Sequence, residues 1–121
     1  MKRCLVIDDS RVIRRVAAKI IQDLGFTVEE AEDGKKALDA CRMRLPDVAL
    51  IDLDMPIMDG RTYLRALRQM PGGEKVIAVI FTADGEPAVM QQAIDDGADE
   101  YIMKPFDSEI IHSKFRLLEL L

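Results

Sequence analysis

Five short apolar runs, each followed by a stretch of helical periodicity, set the strongest constraint on what this chain can fold into. "RCLVID" (3–8) is a continuous apolar run that ends at carboxylates, as a strand buried on both faces does. Ser10 stands as a cap before "RVIRRVAAKIIQDLG", where Ile13, Val16, Ala17, Ile20 and Leu24 recur at helical spacing and Gly25 supplies the stop. The pattern then repeats. "FTVEEA" (26–31) is a more polar strand, and Asp33 caps a helix through "GKKALDACRMR". Pro46 precedes the strand "DVALID", and a loop holding Asp54, Pro56 and Gly60 leads into "RTYLRALRQM". "PGG" (71–73) is a turn, "KVIAVIFT" (75–82) is the most hydrophobic strand, and Pro87 opens the helix "EPAVMQQAIDDG". "EYIMK" (100–104) and the helix "SEIIHSKFRLLELL" complete the series.

Strict alternation of strand and helix predicts right-handed crossovers and an α/β fold: one five-stranded parallel sheet with helices on both faces. At 121 residues the chain has the size of one domain with one real core, and no linker or low-complexity segment divides it, so residues 1–121 are expected to form a single domain without an output domain. A net charge of −5 argues against sequence-independent grip on nucleic acid, which needs a basic face. No apolar run approaches the roughly 18 residues that span a bilayer, and "MKRCLVIDD" turns acidic too early for a signal peptide. The expected location is the cytoplasm, without membrane insertion. Cys4 and Cys41 lack a CxxC spacing or a nearby histidine and are read as buried reduced thiols.

In a doubly wound parallel sheet, ligands bind outside the carboxyl ends of the strands. Those ends deliver Asp8 and Asp9, then Asp52 with Asp54 just beyond, then Thr82, then Lys104 followed by Pro105. Several converging carboxylates repel one another and need a cation. An all-oxygen donor set without histidine or cysteine favours Mg²⁺ over zinc. Mg²⁺ commonly shares its shell with a phosphoryl group, and a hydroxyl at Thr82 with an ammonium at Lys104 suits phosphoryl oxygens. Taken singly, Asp8–Asp9 reads more readily as a polar turn with a cap, and a Lys-Pro pair as a simple turn. Their joint arrival at one sheet edge is what points to phosphoryl chemistry.

The pieces "VIDDS", "LIDLDMPIMDG", "FTA" and "IMKPF" stand in the order and spacing of the receiver domain of two-component response regulators, which the whole chain resembles, in the stand-alone, chemotaxis-regulator-like form. The resemblance implies the flavodoxin-like strand order 2-1-3-4-5. It also implies that Asp52 accepts a phosphoryl group from a histidine kinase or phosphotransfer protein. Asp8, Asp9, Asp52 and the backbone carbonyl of Asp54 would hold Mg²⁺, Asp9 more directly than Asp8, while Thr82 and Lys104 would contact the transferred group. The Lys104–Pro105 bond is expected to be cis. Phosphorylation would draw Thr82 inward and move Tyr101, remodelling the face of the fourth helix, fifth strand and fifth helix to control an unidentified protein target. Asp54 and Asp84, two residues beyond Asp52 and Thr82, would set the lifetime of the phosphorylated state. Such a protein is a signalling component that catalyses only its own phosphorylation and dephosphorylation, as a monomer or a weak phosphorylation-dependent dimer.

Arg11, Arg14, Arg15 and Lys19 lie along one side of the first helix, either as a docking surface for the phosphoryl donor or as a solvated face. His112 is read as a surface or interface residue. One alternative keeps the fold and makes the chain a phosphate relay or sink. A haloacid-dehalogenase-type phosphatase also carries Asp-x-Asp after an apolar strand, but there the pair ends the first strand and the other acids come late. A receiver-shaped module that no longer takes phosphate is opposed by the intact set of five site residues. A dinucleotide-binding domain would need a GxGxxG after the first strand, which is absent.

Overall fold

A computed structural model describes residues 2–121. The chain runs β1 (Arg3–Ile7), α1 (Arg11–Asp23), β2 (Thr27–Ala31), α2 (Gly34–Met43), β3 (Val48–Ile51), α3 (Gly60–Gln69), β4 (Ile77–Thr82), α4 (Pro87–Asp95), β5 (Glu100–Met103) and α5 (Ser108–Leu117). All strand pairs are parallel, in the order β2-β1-β3-β4-β5. The alternation of the sequence thus yields the doubly wound sheet it predicts, and the order reverses between β1 and β3, where a crevice opens.

Side chains of successive strand residues take opposite faces. Leu5, Ile7, Ala49, Ile51, Ala78 and Ile80 pack under α2, α3 and the Ala93 side of α4. Cys4, Val6, Val48, Leu50, Val79, Phe81 and Ile102 pack under α1 and α5. Both faces are covered, which is why β1, β3 and β4 read as unbroken apolar runs.

Ser10 and Asp33 cap α1 and α2 as the sequence predicts, and Asp59 and Asp107 cap α3 and α5 in the same way. Ser10, Asp33, Asp59 and Asp107 each accept a hydrogen bond from the N–H three residues on. Two local readings differ. Val16 is 47% exposed, and the buried stripe of α1 runs through Ala17, Ala18 and Ile21, because a one-residue step turns a helical side chain by about 100° onto the flank. The run "KVIAVIFT" enters the sheet only at Ile77, since Gly73–Lys75 form a short 3₁₀ turn. Cys4 and Cys41 are buried and free of disulfides, and burial pushes the Cys4 thiol up. Among the described residues no helix is long and apolar enough to cross a membrane.

Candidate phosphoryl-transfer site

The register of the sheet assembles the site. Ile7 of β1 pairs with Ile51 of β3, so the next residues, Asp8 and Asp52, leave the sheet side by side. Thr82 of β4 pairs with Met103 of β5, which sets Lys104 beside the end of β4. Carboxylate oxygens of Asp8, Asp9 and Asp52 lie within 4.8 Å of one another. The Lys104 ammonium donates to Asp8 Oδ2 at 2.6 Å and stands 3.5 Å from Asp52 Oδ1. Its other side rests on the Phe81 ring, 4.7 Å from the centroid, and the Lys104–Pro105 peptide is cis.

Asp8 is fully buried and every polar atom of it has a partner. Its N–H donates to Ala31 O at 3.1 Å. Oδ1 accepts from the Ser10 N–H at 2.8 Å and Oδ2 from Lys104, while the main-chain carbonyl accepts from Arg14 Nη1 at 2.8 Å. Asp9, by contrast, is exposed. Asp52 is 7% exposed, and its Oδ1 accepts from the Asp54 N–H at 3.4 Å. Burial, then the charge of Asp8, pushes the Asp52 carboxyl up from the ordinary 3.8 to about 6, against the pull of Lys104.

Asp9, Asp52 and Lys104, with Asp54, Thr82, Ala83 and Asp84, line a cleft of ≈ 460 Å³, and the buried Asp8 lies behind it. Thr82 is buried, and its Oγ1 accepts from the Asp84 N–H at 3.1 Å, which leaves the hydroxyl proton to donate elsewhere. Asp54 and Asp84 are exposed at the rim. Seven sequence-derived positions therefore converge: Asp8, Asp9, Asp52, Asp54, Thr82, Asp84 and Lys104. Tyr101 lies outside the cleft, 41% exposed on β5, with the Lys114 ammonium 4.5 Å above its ring. His112 is half-buried on α5, on a groove shared with Ile20 and Leu24 of α1.

The donor set suits a hard divalent cation. Carboxylate oxygens of three aspartates cluster together, no histidine or cysteine among the described residues joins them, and the solvent-facing Asp9 leaves room for water in the shell.

Arg14 departs from the sequence reading. It does not share the outer flank of α1 with Arg11, Arg15 and Lys19. Its side chain is only 13% exposed, donates to the Asp8 carbonyl and pairs with Glu30 of β2 at 3.0 Å. The signal was available in the spacing: Arg14 shares the inward flank with Ser10 and Ala17, one turn to either side, while Arg11 and Arg15 do not.

A family model for the response regulator receiver domain matches residues 4–116. The chain is 34% identical over 116 residues to the response regulator MprA of Mycolicibacterium vanbaalenii, an alignment covering 96% of this chain and 49% of that protein. MprA of Mycobacterium avium matches at 34% identity with 50% of its length covered, so the chain spans about half the length of these curated relatives. Among solved structures, the chemotaxis protein CheY4 of Vibrio cholerae superposes with a TM-score of 0.92 at 30% identity, covering 100% of this chain and 99% of that one. The receiver domain of a sensor histidine kinase from Pseudomonas aeruginosa, solved with a magnesium ion in its active site cleft, is alike in fold, with a TM-score of 0.88 at 23% identity over 96% of this chain and 95% of that one.

Proposed function

The chain belongs to the response regulator receiver family of two-component systems, and from that premise we propose that it is a phosphoacceptor whose Asp52 takes a phosphoryl group from a phosphohistidine on a kinase or phosphotransfer protein. The observation that carries this reading is the meeting of Asp52 with Asp8, Asp9 and the Lys104 ammonium at one sheet edge.

An Asp52 carboxylate oxygen attacks phosphorus in line with the leaving imidazole nitrogen; the new O–P bond forms as the N–P bond breaks, and the imidazole takes up a proton. Little covalent work falls to the protein beyond presenting the nucleophile, so position and charge carry the rate. Lys104 stands where it can balance charge on the transferred oxygens, and Thr82 offers its hydroxyl proton to one of them. Asp8, Asp9, Asp52 and the Asp54 carbonyl would hold Mg²⁺, which supplies neutralisation of the acceptor and phosphoryl oxygens when bound. Asp8 has both carboxylate oxygens engaged, which supports Asp9 as the more direct ligand.

The donor would approach over α1, where Val12 is 71% exposed and Val16 stands beside it, flanked by Arg11 and Arg15. The added charge of about −1.5 to −2 gives the state its signal. Thr82 turning toward it would vacate space near Tyr101, whose face with α4 and α5 then presents a changed surface to a protein target. Asp54 and Asp84 at the rim flank the path of attacking water and tune the lifetime.

Incubation with Mg²⁺ and acetyl phosphate, followed by intact mass measurement, tests the reading. One added phosphoryl group is expected, lost in Asp52→Ala; a modification that survives Asp52→Ala, or none in the parent, overturns it.

A further inference from the structure

Arg14 is the one basic residue of α1 whose side chain is turned into the fold and engaged to the acidic turn. Its Nη1 donates to the Asp8 carbonyl at 2.8 Å while its Nε donates to Glu30 Oε1 at 3.0 Å. The two bonds come from different nitrogens of one planar group, so Glu30 on β2 aims the fork and Asp8 receives it. The turn needs such a hold at this point. The Asp8 N–H still follows the sheet, reaching Ala31 O, but its carbonyl faces the start of α1 and has left the ladder, in a residue with no exposed surface.

We infer that Arg14, oriented by Glu30, is a positioning residue that fixes the Asp8–Asp9 turn in the shape that binds the divalent cation. The inference rests on the proposed role of Asp8 and Asp9 as cation ligands. Arg14 touches neither the cation's ligand oxygens nor Asp52; it acts through the main chain between β1 and α1. Arg15 supplies an internal control. Its Nε stands 3.5 Å from Glu30 Oε2 and its side chain is 62% exposed, so it shares the same partner and charge without reaching Asp8.

Two roles for the guanidinium carry opposite signs. As a bare positive charge near an acidic site it repels Mg²⁺, so removing it tightens cation binding. As a positioning group it holds the ligands in place, so removing it weakens binding, by about tenfold if it resembles other groups that orient metal ligands. Satisfying the buried carbonyl alone would lower fold stability and leave the cation affinity of the folded protein unchanged.

The test is calorimetric titration of the full chain with MgCl₂, alongside thermal unfolding and amide exchange at Asp9 and Ser10 without metal. Arg14→Met and Arg14→Lys are both expected to bind Mg²⁺ about tenfold more weakly, lysine failing because one ammonium cannot serve Glu30 and the carbonyl in the same fork. Glu30→Gln, which keeps its shape and is the variant surest to fold, is expected to lose a few-fold, and Arg15→Met to match the parent. Exchange at Asp9 and Ser10 should quicken in the Arg14 variants only. Unchanged or tighter binding in Arg14→Met and Glu30→Gln, or an equal loss in Arg15→Met, overturns the inference while leaving the phosphoacceptor reading intact. A parent chain that binds no Mg²⁺ overturns the cation site and the inference together.

Discussion

On one side of the cleft, the turns carrying Asp8 and Asp52 are gripped from several directions. Gly60 lies so close to β3 that a Cβ there would collide with the Asp52 carbonyl oxygen and stand 2.9 Å from Leu53 Cα. Its N–H donates to Leu53 O at 3.0 Å, and Met58 O accepts from the Gly34 N–H at the start of α2 at 3.1 Å. The same loop keeps the β-branched Ile57 at φ +69°, a conformation that costs on the order of 1 kcal/mol and persists only where neighbours enforce it. On the other side, residues 83–88 are all exposed, and α4 buries only Ala93. That helix is secured at its far end, where Arg61 and Arg65 of α3 reach Asp96 at 2.6 and 3.4 Å and Arg68 reaches the Gly97 carbonyl. The proposed cation ligands sit on the held wall, and the loop after β4 with Asp84 and α4 sits on the wall with fewest buried contacts, where motion disturbs least packing.

The sharpest way to break this contrast is to add one methyl group to each wall. Gly60→Ala has only backbone to push against and should lose about 3 kcal/mol by overpacking. Gly85→Ala, in the loop after β4, meets the flexible end of Met103 at 3.1 Å and should change stability by less than about 0.5 kcal/mol. Urea unfolding midpoints measure both; equal losses would mean the two walls are equally constrained.

The groups at the strand ends of both walls were legible in the sequence, and the long side chains that brace each wall were not. "VIDDS" and "LIDLDMPIMDG" place their acids by strand period and register, which apolar runs specify strongly because a slip would expose the core. Caps at Ser10 and Asp33 start helices where the turns demand them. The inward flank of Arg14 is legible from its spacing to Ser10 and Ala17, but its partners are not, since Asp8 and Glu30 come from the turn after β1 and from β2, outside its helical pattern. The Arg61, Arg65 and Arg68 row toward α4 was equally hidden: it pairs residues about 30 apart in sequence through long side chains that give no periodic signal. Tyr101 was read as a switch from its position in the family pattern; nothing in its local sequence indicates that Lys114 covers it.

Rim carboxylates sharpen the same comparison in time. Asp54 extends from the held wall and Asp84 from the exposed loop, so under the proposed role in lifetime a water held by Asp54 would be the better placed for attack on the acyl phosphate. After removal of phosphodonor, Asp54→Asn should slow loss of the phosphoryl group by about tenfold, below the full effect of a well-positioned base, and Asp84→Asn by less. Intact mass against time gives both rates. Unchanged rates would remove both residues from the lifetime, and a larger effect at Asp84 would reverse the assignment of the walls.

The anchor of α4 titrates. Burial pushes the Asp96 carboxyl up, but its bonds to Arg61 and Arg65 more than offset this and hold it below the ordinary 3.8. A carboxyl lowered in the folded state contributes stability above its unfolded value and loses it as pH falls through its folded value. Asp96→Asn should therefore lower the unfolding midpoint by about 2 to 4 °C at neutral pH, a modest shift because the arginine ends are screened by solvent. The gap between variant and parent should hold down to about pH 5 and close as the pH drops below the ordinary carboxylate value. A gap that is independent of pH would assign the loss to packing at the end of α4 and not to the charge.

The smallest effect belongs to Lys114. Its ammonium lies 4.5 Å over the Tyr101 ring and donates to Glu100 at 3.1 Å, so the ring is held outward between α5 and solvent by one cation. At a partly exposed site such a contact is worth about 0.5 kcal/mol, too little to fix the ring and enough to bias it. Lys114→Ala should leave global stability nearly unchanged yet shift the population of Tyr101. The chain has two tyrosines, and Tyr63 is fully buried on the inner face of α3, so 3-fluorotyrosine labelling gives one reporting resonance and one internal reference. The Tyr101 resonance should move in the unphosphorylated variant toward its position in the phosphorylated parent, with Tyr63 fixed. Movement of both would show that the perturbation crosses into the held wall, and a stationary Tyr101 would show that the lysine does not bias the ring.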